Sequence, residues 1–198
     1  MERPAETQFP VHELVRRRWS PLAFSDQPVT PAELGSLLEA ARWAPSAYNE
    51  QPWSFVLATR DEPAAFERLA GCMVAGNQVW ARHAPVLMLA VAKRRFDLTG
   101  EENRHAWYDV GQAVAALSLQ ATALGLYVHQ MAGFSPEQAR ATLGIPETHV
   151  PVTMIAVGRY GDAGSLPAEL RAREQGPRQR KVVAEFAFAG QWGQRRGG

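Results

Sequence analysis

The chain has 198 residues, 46% of them apolar, 21% charged and 9% aromatic, which is a globular composition and excludes disordered, collagen-like and disulfide-stapled classes. Its 21 basic and 20 acidic side chains leave a formal charge of +1, so no overall field draws it to nucleic acid or to an anionic membrane. A single cysteine, Cys72, and the lack of an apolar signal region after Met1 point to a reducing, cytoplasmic location, and the apolar run from Ala84 to Ala92 is far short of the roughly 20 residues a bilayer requires.

Residues 1–10 are polar, carry two prolines and show no periodicity, so a flexible N-terminal arm is expected. A short helix follows from Val11 to Arg18. Thr30-Pro31-Ala32-Glu33 is a capping box with proline at the first helical position, and it opens a helix whose Leu34, Leu37, Leu38 and Ala41 share a face. That helix must stop near Ala44, ahead of Pro45. Trp53 to Thr59 reads as a strand, Pro63 opens a helix to about Cys72, and Pro85 to Ala92 reads as a buried central strand. An alanine-rich helix is expected from Glu101, with Gly125 as its stop. Ser135-Pro136-Glu137-Gln138 opens another helix that ends at Gly144, and Val152 to Val157 is a further buried strand. Val182 to Phe188 reads as a last strand docked at an edge, before a polar tail over 191–198. Residues 11–190 are thus one domain. With no βαβ repeat and no glycine-rich strand-to-helix turn, a dinucleotide-binding fold is disfavoured.

Arg16-Arg17-Arg18-Trp19-Ser20 places three guanidinium groups, an indole and a hydroxyl within one turn, a donor set suited to phosphate. Arginines that complement a helix dipole and face water are the simpler account of this stretch taken alone. The loop from Ala44 to Trp53 holds Pro45, Ser46, Ala47, Asn49 and Gln51 between two prolines, where donors can meet a polar heterocycle or simply make a turn. Arg178-Gln179-Arg180-Lys181 is a second basic knot, with a solvated turn as its alternative reading. The five histidines are scattered, so no metal site is expected. His105 and Asp109 are spaced for a surface pair on one helix. No nucleophile elbow is present, and Cys72 sits in an apolar helix.

The order of these motifs carries more than any one of them. Arg18-x-Ser20, then Ala-Arg-Trp-Ala-Pro-Ser-Ala-Tyr-Asn-Glu-Gln-Pro-Trp at 41–53, Gly-Asn-Gln-Val-Trp at 76–80, Asp109-x-Gly111, and His-Gln-Met-Ala-Gly-Phe at 129–134 resemble the FMN-dependent nitroreductase family. The resemblance implies an α+β fold, with a mixed central sheet flanked by helices. It also implies an intertwined homodimer with flavin sites at the subunit interface. Matched residue by residue, it assigns Arg18, Trp19 and Ser20 to the flavin phosphate and ring edge, and Pro45, Ser46, Ala47 and Asn49 to a segment reaching the flavin of the other subunit. Asn77 would lie at the pyrimidine end, Met131, Ala132 and Gly133 beside the redox centre, and Arg178 and Arg180 on the phosphate with Arg18. Leu22 and Trp80 depart from the family, which often has basic residues there, and their apolar character should lower the flavin potential. The segment from Lys93 to Tyr108, where relatives carry a lid, is short and charged.

The implied chemistry is ping-pong hydride transfer from NADH or NADPH to a nitroaromatic or quinone-type acceptor, with no protein side chain as catalyst. A flavin-binding carrier or redox sensor without turnover is the alternative, and a helical interaction module with no flavin is a third reading.

Overall fold

The computed structural model describes residues 3–195. Four strands, β1 (Trp53–Thr59), β2 (Val86–Lys93), β3 (Tyr127–Met131) and β4 (His149–Gly158), form one sheet in the order β1-β2-β4-β3. Around it stand α1 (Glu13–Arg17), α2 (Pro31–Arg42), α3 (Pro63–Gly71), α4 (Ala75–Ala81), α5 (Ala106–Ala123), α6 (Pro136–Leu143) and α7 (Ala168–Gln175).

β2 divides the core. Val86, Met88, Ala90 and Ala92 face α2 and α5 and pack with Leu37, Val110 and Leu117. Leu87, Leu89 and Val91 point the other way, towards Phe66, Leu69 and Trp80 of α3 and α4. A strand buried on both faces has no reason to alternate polar and apolar residues, so β2 reads as a continuous apolar run.

Every strand pairing among the described residues is antiparallel, where a mixed sheet was expected. The reason lies in the order of the strands. β2 and β3, joined by α5, run in the same direction, but β4 is inserted between them and pairs antiparallel with both.

The capping box at Thr30 forms: its hydroxyl accepts the Glu33 N–H at 3.2 Å, and the Glu33 carboxylate accepts the Thr30 N–H at 2.8 Å. Arg159, just past β4, reaches Glu33 at 2.6 Å and ties the start of α2 to the sheet.

Along the described part of the N-terminal segment, the Ala5 N–H donates to the Arg16 carbonyl, and the Arg3 guanidinium donates to the carbonyls of Glu174 and Gly176. Two further expectations need correction. α5 begins at Ala106 and not at Glu101, since Asn103 N–H bonds back to the Arg94 carbonyl and Arg95 bridges Glu102, closing a tight loop ahead of the helix. Val182 to Phe188 forms no paired strand with the sheet. Val183–Glu185 is a 3₁₀ turn instead, closed by the Glu185 side chain accepting the Val182 N–H at 3.2 Å. Of the expected polar tail at 191–198, residues 196–198 lie outside the described residues.

Candidate functional site

α1 ends at Arg17, and the chain then turns inward at Trp19, which is buried between the rings of Tyr127 and Tyr160 at centroid distances of 5.8 and 5.3 Å. The Arg3 guanidinium covers the indole at 5.0 Å. Arg18 and Ser20, on either side of this anchor, remain nearer the surface, and Arg18 Nη1 donates to Ser20 Oγ at 3.3 Å.

The other basic knot reaches the same place from the far end of the chain. Arg178 Nη2 donates to the Arg18 carbonyl at 2.7 Å, and Nη1 donates to the Arg16 carbonyl at 3.4 Å and to that of Arg3. Glu174 secures the turn from beneath: its buried carboxylate accepts the N–H groups of Leu22 at 2.8 Å and Ala23 at 3.4 Å. Between these segments lies a cleft of about 190 Å³ lined by Arg18, Ser20, His129, Arg173, Arg178 and Arg180, among others. Trp19 also lines it, and its indole N–H is a buried donor with no hydrogen-bond partner among the described residues.

Burial holds the Arg18 guanidinium below its ordinary pKa, and repulsion from Arg180 adds to this. Arg178 is lowered in the same way, by burial first and then by Arg18, Arg180 and Arg3. Cations gathered with no free carboxylate among the described lining residues make a site whose field favours a bound anion.

A second group of expected residues meets at the end of β3. Asn77 Nδ2 donates to the Gly133 carbonyl at 2.9 Å, which also accepts the Val74 N–H at 3.0 Å. A Cβ at position 133 would lie 2.6 Å from Asn77 Nδ2, so this approach requires glycine. Met131 is buried beside it and Ala132 is exposed. His129, two residues back on β3, links this group to the arginine cleft, with its ring against Trp80 at 4.4 Å and Nδ1 2.7 Å from the Pro21 carbonyl. Leu22 and Trp80 are core residues, and Trp80 stacks on Phe24 at 6.3 Å.

The loop with Pro45, Ser46, Ala47 and Asn49 is not brought to either group within this chain. Its bonds run inward to α5, where the Asp109 carboxylate accepts the Ala47 N–H at 3.1 Å and Gln112 Nε2 donates to the Pro45 carbonyl at 3.4 Å. The expected surface pair of His105 and Asp109 is therefore not formed, because Asp109 lies on the buried face of α5 and serves this loop. The loop holds three non-glycine residues in the left-handed region, Tyr48, Asn49 and Gln51, at φ 52°, 56° and 49°. Such strain, about 1–3 kcal/mol per residue, persists where surrounding contacts fix it and is concentrated at functional sites.

The model of the Nitroreductase family matches residues 15–159. The chain belongs to that family. A solved structure described as an oxidoreductase containing FMN superposes on this chain with a TM-score of 0.91, at 33% identity and covering 96% of each chain. A Ralstonia nicotianae protein named as an NADH dehydrogenase/NAD(P)H nitroreductase is 33% identical over 71% of this chain and 80% of its own length. An NADH dehydrogenase of Thermus thermophilus is 30% identical over 75% of this chain and 85% of its own.

Arg3 and Glu174 escaped the reading of the sequence, and Asp109, singled out there as a surface partner of His105 and in the motif Asp109-x-Gly111, was not read as the residue that holds the loop. Nothing local marks Arg3 or Glu174, since each acts across more than 150 residues of chain. Asp109 did carry a signal: it stands one residue before Val110 and four before Ala113, inside the apolar stripe of its helix.

Proposed function

We propose that the protein is an FMN-dependent oxidoreductase that takes electrons from NADH or NADPH and reduces a small electrophile of nitroaromatic or quinone type. It works as a cytoplasmic homodimer with its flavin sites at the interface. The observation that carries this reading is the meeting of Arg18, Arg178 and Arg180, from opposite ends of a nitroreductase-family chain, in one cleft whose only lining carboxylate among the described residues is already engaged.

The donor set suits a phosphate dianion followed by a polar, flat body. Arg18, Ser20 and Arg180 hold the phosphate in this reading, while Arg178 braces the backbone that presents them and Trp19 anchors the turn between. Asn77 and Val74 fix the Gly133 carbonyl, and with it the Met131–Gly133 segment that borders the ring. Pro45, Ser46, Ala47 and Asn49 complete the site of the partner subunit. That assignment agrees with the loop's own bonds to α5 and with the exposure of Tyr48 within it, a large side chain that a second copy would cover. Bound there, FMN supplies the hydride chemistry. The protein contributes orientation, a cationic phosphate seat and exclusion of water.

Steady-state kinetics test the reading: parallel double-reciprocal lines for NAD(P)H against a quinone or nitroaromatic are expected, because donor and acceptor use one site in turn. A protein that binds FMN and is reduced, but passes electrons to no acceptor, is a carrier or redox sensor and refutes turnover.

A further inference from the structure

The cleft between the chain ends is unbalanced in its hydrogen-bonding chemistry. Arg18, Arg173, Arg178 and Arg180 line it and can only donate. The Glu174 carboxylate in its wall is taken by the Leu22 and Ala23 N–H groups. His129 is different. Its Nδ1 lies 2.7 Å from the Pro21 carbonyl oxygen, and since a carbonyl only accepts, Nδ1 carries the proton. The lone pair is then at Nε2, which no donor among the described residues engages, on a ring that lines the cleft. Trp80, at 4.4 Å, and the Pro21 bond fix the ring from two sides. Burial lowers the pKa of this imidazole; the Pro21 bond acts against that and Arg173 acts with it, leaving it below its usual value and the ring neutral at pH 7.

We propose that His129 is a positioning residue for the polyol chain of the flavin, its Nε2 accepting a hydrogen bond from one ribityl hydroxyl. The inference rests on the FMN reading above and adds a residue to it. A polyol phosphate presents acceptor oxygens at one end and O–H donors along its chain. The cleft presents the complement, with donor-only guanidinium groups from both chain ends and a neutral acceptor on β3. The same strand carries Met131 two residues on, so the histidine stands between the phosphate seat and the segment assigned to the ring.

The test is reconstitution of the apoprotein with FMN, followed by quenching of flavin fluorescence, for the native protein, His129→Asn and His129→Gln. Asparagine can keep an amide N–H on the Pro21 carbonyl but ends short of the Nε2 position, which glutamine reaches. His129→Asn is expected to bind FMN about three- to tenfold more weakly, the worth of one neutral hydrogen bond, with the melting temperature of the apoprotein preserved. His129→Gln is expected to recover most of that loss. Against FMN analogues that each lack one ribityl hydroxyl, the native protein should lose a similar factor for one analogue, and His129→Asn should bind that analogue as it binds FMN. Native affinity in His129→Asn, or equal affinity of the native protein for FMN and every analogue, overturns the inference while leaving the FMN site intact. Failure of the native protein to take up FMN at all overturns the FMN reading and this inference with it.

Discussion

Arg178 directs its guanidinium at the carbonyls of Arg3, Arg16 and Arg18, whereas Arg180, two residues on, lines the cleft and among the described residues donates to its neighbour's carbonyl alone. The two should therefore fail differently. Arg18→Ala and Arg180→Ala are each expected to weaken FMN binding roughly ten- to hundredfold, the worth of a charge-assisted bond at about 1.5–3 kcal/mol, with the apoprotein melting as before. Arg178→Ala is expected to lower the apoprotein melting temperature as well, because it releases the lacing between the chain ends. Thermal melts beside fluorescence titrations separate the two outcomes, and unchanged FMN affinity in Arg180→Ala would remove it from the phosphate seat. His129 adds a pH dependence of definite sign. Burial holds its pKa in the fold below the ordinary 6.5, so protonation costs more in the native state than in the unfolded chain. Its contribution to stability is complete above that ordinary value and is lost as pH falls through the lowered one. Melting temperature should decline below about pH 6.5, and His129→Gln, which cannot titrate, should flatten part of that decline.

At the level of elements, the sequence is legible where local chemistry decides the outcome. Thr30 and Glu33 exchange their capping bonds as their spacing demands, and Gly125 stops α5 at φ 72°. Thr30→Ala is expected to cost about 1 kcal/mol, a fall of roughly 2–4 °C in melting temperature, since it removes the acceptor for an orphan helix N–H. β2 is equally plain, because burial on both faces writes itself as an unbroken apolar run. The elements that escape prediction are those defined by what they touch. β3 is five residues long, contains His129 and Gln130, and follows directly on the stop of α5; only its pairing with β4 makes it a strand. α4, at seven residues, and α7, with a single buried residue, show no usable stripe. Val182 and Val183 have the side chains of a strand, but the Glu185 carboxylate offers the Val182 N–H a nearer partner and the segment turns. The site divides along the same line. Arg18 and Arg178 are conspicuous as basic knots, yet neither knot shows by itself that the other lies beside it, and it is the resemblance of motif order that suggested the meeting.

At the level of the whole molecule, one chain brings together two of the three groups of residues assigned to the flavin. The third, the strained loop of Ser46 to Gln51, is fixed to α5 by Asp109 and Gln112 and is not brought to either of the others. If each site takes Arg18 from one subunit and Asn49 from the other, an Arg18→Ala dimer and an Asn49→Ala dimer are each damaged at both sites, but a mixed dimer has one intact site. Co-expression under two tags should then restore about half the flavin per dimer, as expected for two independent sites in a closed two-fold assembly. No recovery above the parent variants would place both residues in one subunit. The oxidoreductase reading itself is tested most directly by anaerobic titration of the purified protein with NADH or NADPH, followed through the flavin absorbance. The predicted result is one FMN per subunit, bleached by one equivalent of nucleotide and restored by a quinone or nitroaromatic. A protein that takes up no FMN on reconstitution, or holds FMN that neither nucleotide bleaches, would contradict it.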